Sequence, residues 1–310
     1  MSDYTVKLKT VAEELALTPV RLSKDYENIV ITVADINRPA LQLTGYYDYF
    51  NPMRVQIIGM VETTYMETLS QEERRSAFRK LMSYGFPALV VCHECKVLEE
   101  CLQACEEFDK CLFTSDLNTS DLEGIMLASL RRHMAPRTTL HGVLVEIFGE
   151  GVLIEGESGM GKSEVALELI KRGHRLIADD AVEVKMLGPG QLEGSANEMI
   201  RYYMELRGIG VINVRHIYGM SAVKPEGNID MAVYLEPWDD NKVYDRLGLN
   251  SETQNILGVE IPKVVIPVRP GRNLASILET AALNNRQKKL GYNAAEYLAA
   301  KVDAVAEGKG

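Results

Sequence analysis

The chain has 310 residues, 46% of them hydrophobic and 25% charged, with a formal net charge of −10. That length allows two domains and ample core material, and the composition is that of an ordinary globular protein. No apolar run approaches a membrane span, the first residues lack the apolar core of a secretion signal, and the acidic balance argues against nucleic acid held on a broad basic face, so a cytoplasmic protein with neither membrane nor nucleic-acid partner is expected.

In chain order, residues 5–15 read as a short amphipathic helix and 28–33 as a strand, and Pro39 marks a turn by fixing its own φ and restraining Arg38. Ser70-Gln71-Glu72-Glu73 is a capping box that opens a helix with Phe78, Leu81 and Met82 on one face. Residues 87–92 read as a strand, 96–109 as a helix and 111–114 as a strand; Ser120-Asp121-Leu122-Glu123 reads as a second capping box, opening a helix to about His133. This alternation predicts a small N-terminal α/β domain, residues 1–133, with a largely parallel sheet. All five cysteines, Cys92, Cys95, Cys101, Cys105 and Cys111, fall within it, and an odd number argues against a simple disulfide framework. Cys92-His93-Glu94-Cys95 followed by Cys101 and Cys105 invites a zinc reading, but Cys101 and Cys105 share an apolar helix face with Leu98, Leu102 and Phe108, which favours buried thiols.

A second α/β domain, residues 134–310, is expected beyond Pro136. Residues 141–148 read as a strand that Gly149-Glu150-Gly151 turns back into the apolar run Val152, Leu153 and Ile154. Next come residues 156–163, Gly156-Glu157-Ser158-Gly159-Met160-Gly161-Lys162-Ser163, which match the phosphate-binding pattern G-x-x-x-x-G-K-[ST]. A helix over 162–172 ends at Gly173, a strand covers 175–184, another covers 264–268, a helix runs from Leu274 into the 280s, and residues 303–310 are expected to fray.

The order strand, glycine-rich loop, helix is what polyphosphate binding requires. Glycines let successive N–H groups point at the phosphates, and the helix N-terminus adds its partial positive charge. Lys162 would reach the β/γ-phosphates and Ser163 would offer a hydroxyl to Mg²⁺. Asp179 and Asp180 end an apolar strand, where an acid serves the metal or the attacking group, and a regular strand would aim only one of them at the phosphates. Glu205 precedes the glycine-containing run Arg207-Gly208-Ile209-Gly210. Arg246, Arg269 and Arg272 are candidate phosphate-binding cations, whereas His141 reads as structural from spacing alone.

The phosphate loop, residues 172–180, residues 205–214 and residues 268–273, together with Asp35-Ile36-Asn37-Arg38-Pro39 and residues 41–46, resemble bacterial HPr kinase/phosphorylase over nearly the whole chain. Glu157 and Met160 are mild departures, standing where aspartate and isoleucine are expected. The resemblance implies a P-loop kinase domain in a bifunctional enzyme. Such an enzyme phosphorylates a serine of the phosphocarrier HPr with ATP or pyrophosphate, and dephosphorylates it with inorganic phosphate, releasing pyrophosphate. It further implies His141, Lys162, Asp180 and Arg246 as catalytic residues, with Asp180 moving the proton in both directions. Residues 156–163 would bind nucleotide, Ser163 and Glu205 Mg²⁺, and 204–213 would serve both reactions. Pro267, Val268, Arg269, Pro270, Gly271 and Arg272 would serve chiefly dephosphorylation. A homohexamer regulating carbon catabolite use is the implied assembly and role. From the residues alone, a metabolite kinase and an ATP-sensing module remain alternatives.

Overall fold

Short apolar strands separated by amphipathic helices build the first part of the chain, as their alternation predicts. The computed structural model describes residues 4–92, 95–242, 252–269 and 271–306. It divides into two units, Met1–Ala135 and Pro136–Gly310.

In the first unit, α1 (Leu8–Glu14) precedes β1 (Thr18–Arg21), β2 (Ile36–Asn37), β3 (Val55–Ile58), α2 (Met60–Thr68), α3 (Gln71–Met82), β4 (Leu89–Cys92), α4 (Glu99–Glu107), β5 (Leu112–Ser115) and α5 (Thr119–His133). The sheet order is β1-β5-β4-β3-β2; its last four strands are mutually parallel and only β1 is antiparallel. Hydrophobic clusters cover both faces, one holding Leu8, Val11, Leu122 and Met126, the other Met66, Phe78, Leu81 and Met82. Cys101 and Cys105 lie in the second cluster, so the thiols serve as small buried hydrophobes; His93 and Glu94 lie outside the described residues.

Several boundaries differ from expectation. Residues 6–7 pair with Val30–Ile31 before the first helix begins, and the strand expected over 28–33 shrinks to those two residues. There Asn28 Nδ2 donates to Asp25 Oδ1 at 2.7 Å and tightens Tyr26–Asn28 into a 3₁₀ turn. The Ser70–Glu73 capping box forms as read. The second does not: α5 is capped two residues earlier by Asn118, whose side chain accepts from Asp121 N at 3.0 Å.

The second unit begins with β6 (Arg137–His141), β7 (Val143–Ile147), β8 (Glu150–Gly156), α6 (Lys162–Lys171), β9 (Arg175–Ala178), β10 (Ala181–Gly188) and β11 (Gln191–Ser195). There follow β12 (Tyr203–Leu206), β13 (Gly210–Asn213), β14 (Glu226–Asn228), β15 (Met231–Pro237), β16 (Glu252–Ile256), β17 (Val259–Val268), α7 (Leu274–Lys289) and α8 (Ala294–Ala306). Six strands form one sheet in the order β9-β7-β8-β15-β17-β16, in which β8, β15 and β17 run parallel. Four more, β14-β11-β10-β6, form a second sheet, and β12 and β13 pair as a hairpin. Alternation along β7 and β8 explains the layering: Val143, Val145, Val152 and Ile154 pack with residues of α6 and α7, while Leu144 and Leu153 pack with the second sheet.

The strand expected over 175–184 is broken at Asp179 and Asp180, and the strand expected over 141–148 is broken at Gly142. Each break passes the chain from one sheet to the other. A Cβ on Gly142 would lie 2.7 Å from Ile154 O, so only glycine permits that close crossing. Residues 294–306 are helical, where fraying was expected from 303, and 307–310 lie outside the described residues.

Candidate active site

The phosphate loop joins β8 to α6 at the carboxyl end of the parallel strands, the usual place for ligands in α/β sheets. A Cβ on Gly156 would meet Leu235 O of neighbouring β15 at 2.6 Å, so glycine lets the loop leave the sheet there. Lys162, the first residue of α6, is buried, and its Nζ donates to Gly156 O at 2.8 Å and Glu157 O at 3.1 Å. The ammonium thus lies inside the loop that carries the backbone N–H groups.

The two aspartates that follow β9 have opposite surroundings. Asp179 is buried: Oδ1 accepts from Ser163 Oγ at 2.9 Å and Oδ2 accepts from Glu205 N at 3.2 Å. Burial pushes its carboxyl above the ordinary aspartate value, the Ser163 and Glu205 hydrogen bonds pull it back, and the charge of Asp180 adds to the rise. One carboxylate therefore ties the loop serine to the β12–β13 hairpin. Met204 and Leu206 anchor that hairpin in the core and leave Glu205 on the exposed side.

Asp180 is exposed and has φ +66°, and Ala181 N donates to Asp179 O across it at 2.8 Å. This is a γ-turn of the strained hand, which aspartate tolerates better than most residues. Its carbonyl accepts from Gly142 N at 3.1 Å, joining the two chain crossings. His141 Nδ1 lies 3.1 Å from Asp180 Oδ1, and both side chains are more than half exposed. The two strands change sheets side by side, and that is what brings an acid and an imidazole together although 39 positions separate them. Such a solvent-facing pair adds little stability but suits proton exchange with a ligand.

Arg207 lies in the 204–213 run that the resemblance assigns to both reactions, without a role of its own. Its Nη2 lies 3.4 Å from Ser158 Oγ, and Nη1 would lie 3.1 Å from a Cβ on Gly159, so a guanidinium borders the phosphate loop. Its place beside Gly208, two residues after Glu205, was the available signal. Arg246 and Pro270 lie outside the described residues. Pro267 and Val268 end β17, Arg272 Nη1 donates to Pro267 O at 2.9 Å, and this loop emerges at the same sheet edge as the phosphate loop.

Among the described residues no three His, Cys, Asp or Glu side chains form a cage for a metal. Asp179 instead joins two residues expected at the metal, bonding Ser163 through its hydroxyl and Glu205 through its backbone N–H, and oxygen-bearing side chains of this kind suit a hard cation such as Mg²⁺. Among the described residues, no helix is long and apolar enough to cross a membrane.

Two family models match the chain: the HPr Serine kinase N terminus over residues 6–130 and the HPr Serine kinase C-terminal domain over residues 132–302. HPr kinase/phosphorylase of Caldanaerobacter subterraneus subsp. tengcongensis is 45% identical over 297 residues, covering 96% of this chain and 97% of that one. That of Lachnoclostridium phytofermentans is 46% identical over 295 residues, covering 95% and 96%. Among solved structures, the Hpr(Ser) kinase/phosphatase from Coxiella burnetii is 36% identical, with a TM-score of 0.48, and the match covers 52% of this chain and 98% of that one. Matched by models in both halves and by relatives along almost their whole length, the chain belongs to the HPr kinase/phosphorylase family.

Proposed function

We propose that this protein phosphorylates a serine of HPr with ATP or pyrophosphate, and removes that phosphate by transferring it to inorganic phosphate. The observation that carries the reading is the exposed Asp180–His141 pair, set one residue from the buried Asp179 that binds the phosphate-loop serine. An acid that moves a proton is thereby coupled to the loop that holds phosphate.

In the forward direction Lys162, the loop N–H groups and the α6 N-terminus hold the donor's phosphates, with arginine charge from Arg207 beside the loop and the catalytic role of Arg246 taken from the family resemblance. Asp180 accepts the serine proton as the serine oxygen bonds to the γ-phosphorus and the bridging bond to ADP breaks. In reverse, an oxygen of inorganic phosphate attacks the phosphoserine phosphorus. The P–O bond to serine breaks, Asp180 returns the proton to the serine oxygen, and pyrophosphate leaves. His141 orients the Asp180 carboxylate in both directions. Ser163 and Glu205 would hold Mg²⁺, with Asp179 fixing the Ser163 hydroxyl and the Glu205 backbone N–H. When bound, Mg²⁺ neutralises phosphate charge. HPr is the protein partner and a homohexamer the expected assembly.

Asp180→Asn keeps the side-chain size but cannot accept a proton. Both reactions should fall by about 10²–10⁴-fold in kcat while ATP binding, followed by calorimetry, persists. Either reaction proceeding near the wild-type rate would contradict the dual role.

A further inference from the structure

Trp238, the chain's only tryptophan, follows β15 directly, and Arg269 follows β17. The Arg269 guanidinium carbon lies 3.4 Å from the centre of the Trp238 ring. Arg269 Nη2 donates to Asp240 Oδ1 at 3.0 Å, and Trp238 Nε1 donates to the same oxygen at 2.7 Å. Each of the three groups therefore holds the other two, while Trp238 N donates to Val268 O at 3.2 Å and ties the two backbones together.

Core packing does not demand this clasp, because the Arg269 and Asp240 side chains are 49% and 86% exposed. An exposed arginine samples many rotamers, whereas an aromatic face and a carboxylate together select one. Asp240 engages one guanidinium nitrogen, leaving other N–H donors of the fork for an anion. The indole N–H offsets part of the Asp240 charge that would repel such an anion. The register places Trp238 one strand and Arg269 two strands from Gly156, the latter about 10 Å across the sheet, and both three residues further along the strands, on the side where the phosphate loop emerges.

We infer that Trp238 and Asp240 are positioning residues that hold Arg269 for the inorganic phosphate dianion consumed in phosphorolysis. The inference rests on the bifunctional reading above. ATP brings a nucleoside and three phosphates to bind by; free phosphate brings only itself, so its capture depends more on a cation oriented beforehand.

The test compares the full-length wild type with Trp238→Leu and Trp238→Phe, measuring KM for inorganic phosphate in pyrophosphate release and KM for ATP in HPr phosphorylation. Trp238→Leu should raise KM for phosphate about tenfold more than KM for ATP, and Trp238→Phe, which keeps an aromatic face, should recover most of that loss. Equal effects on the two constants, or a phenylalanine variant as impaired as the leucine one, would overturn the inference while leaving the bifunctional reading intact. No pyrophosphate from the wild type would instead overturn that reading and the inference with it. Arg269→Ala reads the clasp without turnover: it should change the fluorescence of the lone tryptophan, and unchanged emission would show that the clasp does not form.

Discussion

Asp179 and Asp180 are adjacent in sequence and opposite in chemistry. The divergence was legible in part, because a strand sends neighbouring side chains to opposite faces. What the sequence could not reveal is that the strand ends at Ala178, so that a γ-turn at Asp180, and not strand alternation, aims its carboxylate at His141. His141 read as structural for the same reason: its partner lies 39 positions away and is supplied by tertiary structure alone. Burial raises the Asp179 pKa, so the folded state holds that proton more tightly than the unfolded state. Below the ordinary aspartate value both states are protonated and nothing is lost. As pH rises through the raised value, the folded state bears the full cost of the buried charge. Asp179→Asn can retain both contacts, donating to Ser163 Oγ and accepting from Glu205 N. It should therefore gain stability over the wild type at pH 7 and show no gain at pH 3 in urea titrations, at the expense of activity. An equal difference at both pH values would contradict the assignment.

Among elements, helices with local signals were the most legible. Ser70 and Glu73 form their reciprocal cap, and Gly173, at φ +96°, closes α6 in a Schellman motif in which His174 N reaches Leu169 O and Gly173 N reaches Ile170 O. Strand boundaries were less legible because sheet exchange at Gly142 and Asp179 depends on contacts between distant strands. The second capping box failed because two candidate caps lay two residues apart and the asparagine came first. Two glycines separate local strain from tertiary contact. A Cβ on Gly173 meets nothing within 4 Å, so Gly173→Ala should cost only about 1 kcal/mol, from its positive φ. A Cβ on Gly151 would fall 1.7 Å from the backbone oxygen of Asn228, so Gly151→Ala should cost about 3 kcal/mol or more. Denaturant midpoints measure both, and the reverse order would refute the strand packing at β8.

At the scale of the molecule, the two units have separate cores: one pair of clusters lies within residues 6–134, the other within 143–282. Composition and element alternation made the first unit's α/β class legible, and the phosphate motif located the site in the second. The mixed sheet and the second sheet beside it were not legible, because antiparallel pairing of β7 with β8 and β9 depends on the hairpin and crossings, not on periodicity. Every described site residue lies in the second unit, so residues 134–310 alone should unfold cooperatively and keep ATP binding; a fragment that binds no ATP would show that the site depends on the first unit.

The most direct test of the central claim incubates the full chain with HPr, Mg²⁺ and ATP, locates any phosphate on HPr by mass spectrometry, and then adds excess inorganic phosphate while pyrophosphate is assayed. The account predicts phosphate on a single HPr serine, lost on phosphate addition with one pyrophosphate formed per serine regenerated. Phosphoserine that persists, or that disappears with release of inorganic phosphate and no pyrophosphate, would contradict it.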